Sequence, residues 1–265
     1  MANPSTGSGR RVLVCIKRVP DLGGEISLTA DGMSVDDSNL GHTVSPHEEA
    51  AVELAIQTAK DTGGEATVLT LGSSDAVEQL RNALALGCTG AVLVEADASA
   101  YGPADVAAAI ADVVRKHESA GTTYDLVLLG NDASDTGDFQ VGIRLSYLLD
   151  RPVVAGVSTL GVSGDRVTAR GQSPDGGTEI YEVPLPAVLT VMEGGVEPRY
   201  PSIPGRMKAK KIKIEEIAPS GEPAGSGRVR LTLPPAQPSQ VTVLGEGPEA
   251  AGAVVDLLEK LGVTR

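Results

Sequence analysis

The chain has 265 residues, 41% of them hydrophobic but only 2% aromatic, with no Trp and a formal net charge of -13. Its core must therefore be built from Val, Leu, Ile and Ala, which suits a parallel sheet layered with helices. The same figures argue against a base-stacking surface and against a binder of phosphate backbones, which needs excess Lys and Arg.

Residues 1–10 are small and polar and are expected to be a disordered lead-in. RVLVCI at 11–16 reads as a buried strand, left through Lys17, Arg18 and a Pro20 that cannot continue a ladder. A loop with short strand pieces leads to Ser45-Pro46-His47-Glu48-Glu49, which has the cap, the proline and the acidic first turn of a helix. Gly63-Gly64 ends that helix, and a strand follows at 65–71. The alternation continues with a helix at 75–86 stopped by Gly87, a strand at 91–95 and a helix at 103–117. The two cysteines, Cys15 and Cys88, are isolated in apolar surroundings and read as small buried hydrophobes of a reducing compartment. No secretory h-region and no apolar run of about 18 residues is present, so a cytoplasmic location is expected.

The next stretch, YDLVLLGNDASDTGDFQVG at 124–142, joins an apolar run to a glycine turn and a helix start. Gly130 closes the strand, Asn131, Asp132, Ser134, Asp135 and Thr136 are turn and cap residues, Gly137 allows a positive φ, and a helix is expected over Phe139–Leu149. Free N–H groups at that helix start would favour an anion such as phosphate. The stretch is neither a Walker A loop nor GxGxxG, so an ordinary capped loop remains the other reading. The whole pattern predicts a doubly wound, mostly parallel α/β sheet with helices on both faces, Rossmann-like, with ligands beyond the carboxyl ends of its strands.

From Val153 the pattern changes to short β segments with turn signals at Ser163-Gly164-Asp165 and Pro174-Asp175-Gly176-Gly177, an antiparallel excursion. A buried strand returns at 185–192. Residues 193–217 read as an exposed segment holding 6 of the 22 Lys and Arg, a candidate docking element on an acidic protein. Beyond it, 218–265 reads as a Gly/Pro/Ser linker and an arm ending in an amphipathic helix at 248–261, too meagre to fold alone and expected to lie on another surface. His42, His47 and His117 are not at ligand spacing, and no GxSxG, Cys/His pair or acidic dyad stands out. Binding and docking, rather than turnover, are expected.

Three segments together, RVLVCIKRVPD at 11–21, LVLLGNDASDTGDFQVG at 126–142 and LPAVLTVMEGGVEPRYPSIPGRMKAKKIKI at 185–214, resemble the beta subunits of electron-transfer flavoproteins. The resemblance covers 11–217 in order. It implies a heterodimer in which the alpha subunit holds most of a redox-active FAD, the arm packs on that subunit, and this chain binds a structural AMP. By residue match the AMP contacts fall at Cys15, Ser45 and Leu71, and along Gly130, Asn131, Asp132, Ala133, Ser134, Asp135, Thr136, Gly137, Asp138, Phe139, Gln140 and Val141. Asn131 stands where the family often has a longer polar side chain, and Ser45 where Asn is usual. Leu22 and His47 match positions near the flavin ring. Ile203 matches the aliphatic anchor that docks acyl-CoA dehydrogenases, flanked by Pro204, Arg206, Met207, Lys208 and Lys211, with electrons passing on towards a quinone oxidoreductase. The family also includes bifurcating members, in which a second FAD replaces AMP and NAD(H) reacts. A reading outside the family is a stand-alone adenine-nucleotide-binding protein.

Overall fold

The computed structural model describes residues 9–21, 23, 26–235 and 241–263. The chain divides into two compact units, Met1–Arg230 and Leu231–Arg265. Gly9 and Arg10, read from the sequence as the end of a loose lead-in, are held. The Arg10 carbonyl accepts from the Glu65 amide at 3.0 Å, and its guanidinium pairs with Asp125 at 2.7 Å.

The first unit opens with β1 (Arg11–Ile16), a short hairpin of β2 (Val19–Pro20) and β3 (His42–Thr43), and α1 (Pro46–Thr62). Then come β4 (Glu65–Gly72), α2 (Val77–Leu86), β5 (Gly90–Glu95), α3 (Pro103–Ser119), β6 (Leu126–Gly130) and α4 (Val141–Leu149). The chain continues through β7 (Val153–Ser163), β8 (Arg166–Gln172), β9 (Thr178–Pro184), β10 (Ala187–Val191), α5 (Ile203–Ala209) and β11 (Glu215–Ile217). All of these strands except the β2-β3 pair make one nine-stranded sheet in the order β11-β5-β4-β1-β6-β10-β7-β8-β9. Pairings from β11 through β7 are parallel, and those of β8 and β9 are antiparallel.

The central strands are apolar on both sides because helices cover both sides. Val12, Val14, Val68, Leu93, Leu126, Leu128 and Leu189 face α1 and α2, while Leu13, Cys15, Leu69, Val92, Val127 and Val188 face α3 and α4. The chain winds from β1 outward to β4 and β5, then crosses to β6 on the other flank of β1. This reversal opens a crevice at the carboxyl ends of β1 and β6, where such sheets bind ligands. β7 bends at Gly156 (φ 72), with a register shift between Val157 and Thr159, so its second half leaves β10 and forms the antiparallel ribbon with β8 and β9.

Two sequence expectations need correcting. The helix expected over Phe139–Leu149 runs Val141–Leu149, because Phe139 is left-handed (φ 47). The stretch 193–217, read as an exposed segment with no element assigned, contains α5 and the edge strand β11. In the second unit α6 (Ala251–Lys260) has no buried residue, and Val254, Val255 and Leu257 are exposed. Among the described residues no helix is long and apolar enough to cross a membrane, and no His/Cys/Asp/Glu cluster could hold a metal.

Candidate functional site

The crevice lies at the strand ends, where β6 runs on into the loop of 131–140. Cys15 on β1, Leu71 on β4 and Gly130 on β6 all end at this edge. The parallel register Cys15↔Leu129 and Cys15↔Leu69 brings the three together. Gly130 is required by packing. A Cβ there would stand 2.7 Å from the Glu48 Cγ, so α1 and β6 approach only because the side chain is missing. Gly142 plays the same part in α4: its Cβ would stand 2.3 Å from Thr190 Cγ2 on β10.

The loop tightens through Ala133, whose carbonyl accepts from the amides of Thr136 and Gly137 at 3.2 and 3.0 Å. Gly137 is left-handed (φ 63), Phe139 is left-handed and Gln140 right-handed, an alternation that turns successive N–H groups into one concavity. None of Ser134, Asp135 or Thr136 caps α4; its N-cap is Gln140, which makes no side-chain cap bond. The first-turn amides of α4 are therefore open, and among the described residues the amides of Asp138, Phe139 and Gln140 meet no acceptor. Asp132 keeps a buried Oδ1 without a partner. Such a cradle fits a phosphate held by backbone amides. It does not suit an anion held by cationic side chains. The loop carries Asp132, Asp135 and Asp138, and the nearby Lys17 is already paired with Asp135 at 2.7 Å.

Ser45 and Asn131 are committed to structure. Asn131 Oδ1 accepts from the Thr190 hydroxyl at 2.6 Å and the Gly156 amide at 3.1 Å, which ties the loop to β10 and to the bend in β7. Ser45 caps α1 in a capping box with Glu48, and its hydroxyl also lies 3.2 Å from the Asp132 carbonyl. The Glu48 carboxylate, missed by sequence reading because it looks like an exposed first-turn acid, is only 5% exposed beneath the loop. Burial pushes its carboxyl up to about 8, a rise only partly offset by hydrogen bonds from Ser45 and Lys17 and by the Lys17 charge. Burial likewise raises the Cys15 thiol, which stays neutral. His47 is half-buried on α1, with Nδ1 enclosed and unpartnered; Leu22 lies outside the described residues.

The cationic segment forms a second feature, anchored at both ends. Arg199 grips Glu53 of α1 in bidentate fashion at 2.6 and 2.7 Å, and Glu215 of β11 meets Lys116 at 3.1 Å and His117 at 3.0 Å on α3. Between these anchors α5 starts at Ser202, whose hydroxyl accepts from the Gly205 amide at 3.1 Å. Gly205 and Ala209 face inward; Ile203 is 80% exposed and Met207, one turn on, 58%. Pro204, Arg206, Lys208 and Lys211 are exposed around them. Tyr200, which sequence reading passed over, is 92% exposed beside them. A groove of about 1060 Å³ lies beside this segment along α1 and α2, lined by Val44, Gln79, Tyr200 and Ile203 among others.

Fold and crevice together define a doubly wound α/β protein with an amide cradle at its switch point and a separate cationic, apolar-tipped helix. Residues 32–221 match the family described as electron transfer flavoprotein domain. The chain is 34% identical to the electron transfer flavoprotein subunit beta of Syntrophomonas wolfei over 237 residues, covering 89% of this chain and 90% of that one. It is 34% identical to the subunit of the same name from Bacillus subtilis over 255 residues (93% and 96%), and 36% identical to that of Homo sapiens over 213 residues (79% and 81%). The chain belongs to the electron transfer flavoprotein family, among its beta subunits.

Proposed function

We propose that the chain is the beta subunit of a heterodimeric electron carrier, binding a structural AMP at the α4 cradle and docking flavin dehydrogenases through α5. The open amides between Asp138 and the first turn of α4, set at the switch point beside Cys15, Leu71 and Ser45, carry this reading. The adenylate would do no redox chemistry. A phosphate there would satisfy the open amides and fix the loop, and through Ser45 and Glu48 the head of α1. FAD, held mainly by the alpha subunit, would supply the electron transfer, with His47 near its ring; Leu22, matched to the same region, lies outside the described residues. The exposed pair Ile203 and Met207 would enter an apolar pocket on an acyl-CoA dehydrogenase; burying one such aliphatic side chain supplies roughly 1.5–3 kcal/mol, suited to a partner that must leave quickly. The exposed apolar residues of α6 support its packing on the alpha subunit.

The test is to purify the chain co-expressed with its flavin subunit and to identify the extracted nucleotides. One FAD and one AMP per pair are expected. Two FAD per pair would replace the shuttle by the bifurcating form, and a stable flavin-free monomer would replace both by a simple nucleotide binder.

A further inference from the structure

The docking helix α5 is only seven residues long, too short to hold a helical conformation by its own hydrogen bonds. What fixes its direction is α2, in two steps one turn apart. Gly205 lies directly on the last turn of α2: a Cβ there would stand 2.3 Å from the Ala85 carbonyl oxygen. One turn earlier on α2, the half-buried Arg81 donates through Nη1 to the carbonyls of Ala209 and Ile212, at 2.5 Å each. These oxygens belong to the end of α5 and the turn after it, where a cation is favoured by the dipole; the Ala209 carbonyl also accepts from the Ile212 amide at 3.3 Å. Arg81 and Ala85 share one side of α2, and Gly205 and Ala209 share the inner side of α5, so the pairs mesh as two rungs. The opposite side of α5 then presents Ile203 and Met207 outward.

We propose that Arg81 is a positioning residue for docking: it sets the direction of α5, and hence of Ile203 and Met207, without itself touching the partner. The inference rests on the reading of α5 as the docking element. Both bonds leave the single Nη1, whose two N–H groups the planar guanidinium holds at a fixed angle; a lysine ammonium could reach the same carbonyls but only from a flexible stem, and so would hold them less firmly.

The experiment uses the purified heterodimer and measures reduction of its flavin by a reduced acyl-CoA dehydrogenase at varied dehydrogenase concentration. Arg81→Met should raise the KM for the dehydrogenase about tenfold, equivalent to roughly 1.4 kcal/mol, with kcat and flavin content unchanged. Arg81→Lys should recover part of the loss. Hydrogen exchange at the α5 amides should accelerate in Arg81→Met while exchange in α2 stays as it was. Ile203→Ala, run alongside, separates the two failures. If Ile203→Ala leaves KM unchanged, the docking reading falls. If Ile203→Ala raises KM but Arg81→Met changes neither KM nor α5 exchange, the positioning role falls and docking stands. If neither Arg81 variant folds, the residue serves the core, and the positioning role is likewise overturned.

Discussion

Replacing Glu48 by Gln should remove a stability penalty that the wild-type chain incurs as pH rises. The Glu48 carboxyl is lifted from 4.5 to about 8, chiefly by burial. A carboxyl raised on folding contributes its full stability below its unfolded pKa and loses it as pH climbs towards the folded one. At about 1.4 kcal/mol per pH interval, the penalty is about 2 kcal/mol at about pH 6 and about 5 kcal/mol at about pH 9, a loss of about 3 kcal/mol across that window. The geometry gives the loss a place. The Ser45 hydroxyl has one proton and two acceptors, Glu48 Oε2 at 3.1 Å and the Asp132 carbonyl at 3.2 Å. A neutral Glu48 can donate to Ser45 and leave the serine proton for Asp132; an ionised one takes that proton and frees the loop of 131–140. Urea unfolding of the purified complex at the two pH values should show wild type losing stability relative to Glu48→Gln, and on the proposed reading AMP held at the cradle should leave wild type sooner at the higher pH. Parallel stability curves for the two proteins would refute the reasoning, as would a wild type that gains stability with pH.

Gly142→Ala should destabilise by about 1–3 kcal/mol and lower nucleotide content, since its Cβ falls 2.3 Å from Thr190 Cγ2; adding Thr190→Ser, which keeps the hydroxyl to Asn131 but drops the methyl, should recover most of both, as measured by urea midpoint and nucleotide extraction. Arg199→Met should cost about 2–3 kcal/mol in urea unfolding, less than the roughly 3–5 kcal/mol for breaking a fully buried pair because the Arg199 side chain is partly exposed. Glu53→Gln in the same background should recover part of that loss, since it removes the stranded carboxylate.

Sequence reading finds the strands and the long helices because each has a strong period and clear ends: Ser45-Pro46 opens α1, Gly63 closes it in a left-handed cap, and the unbroken apolar runs of β1 and β6 suit a sheet covered on both faces. The site is less legible. Phe139 in a left-handed turn has no signature, since an aromatic residue ahead of an apolar helix reads as its first turn. Glu48 reads as a solvated first-turn acid, and only the missing Cβ of Gly130, far away in the chain, shows that it is covered. Ser202 before Ile203-Pro204 is a fair helix signal, but Gly205 and a short polar β11 make the stretch look like loop. Gly205 is there for the close approach to Ala85, and Arg81 meets Ala209 across 128 residues. Both contacts are tertiary, and no local pattern encodes them.

The disposition of charge supports a docking face independently of Ile203. With 35 Asp and Glu against 22 Lys and Arg, a lysine on this chain has carboxylates in excess around it. Several carboxylates are nonetheless committed elsewhere: Asp105 to the amides of Gly102, Ala224 and Gly225, Asp125 to Arg10 and the Arg11 amide, Glu53 to Arg199, and Glu215 to Lys116 and His117. Among the described residues, Lys208, Lys210, Lys211 and Lys213 form no ion pair. Unpaired cations this closely spaced repel one another and do little for the stability of the free chain, and on the proposed reading they would serve to meet an acidic surface that arrives from outside. Their pull reaches about 8 Å at physiological salt, beyond the range of apolar contact. The lysines would therefore set the rate of encounter and its salt dependence, while Ile203 and Met207, effective only at contact, would set how long the partner stays.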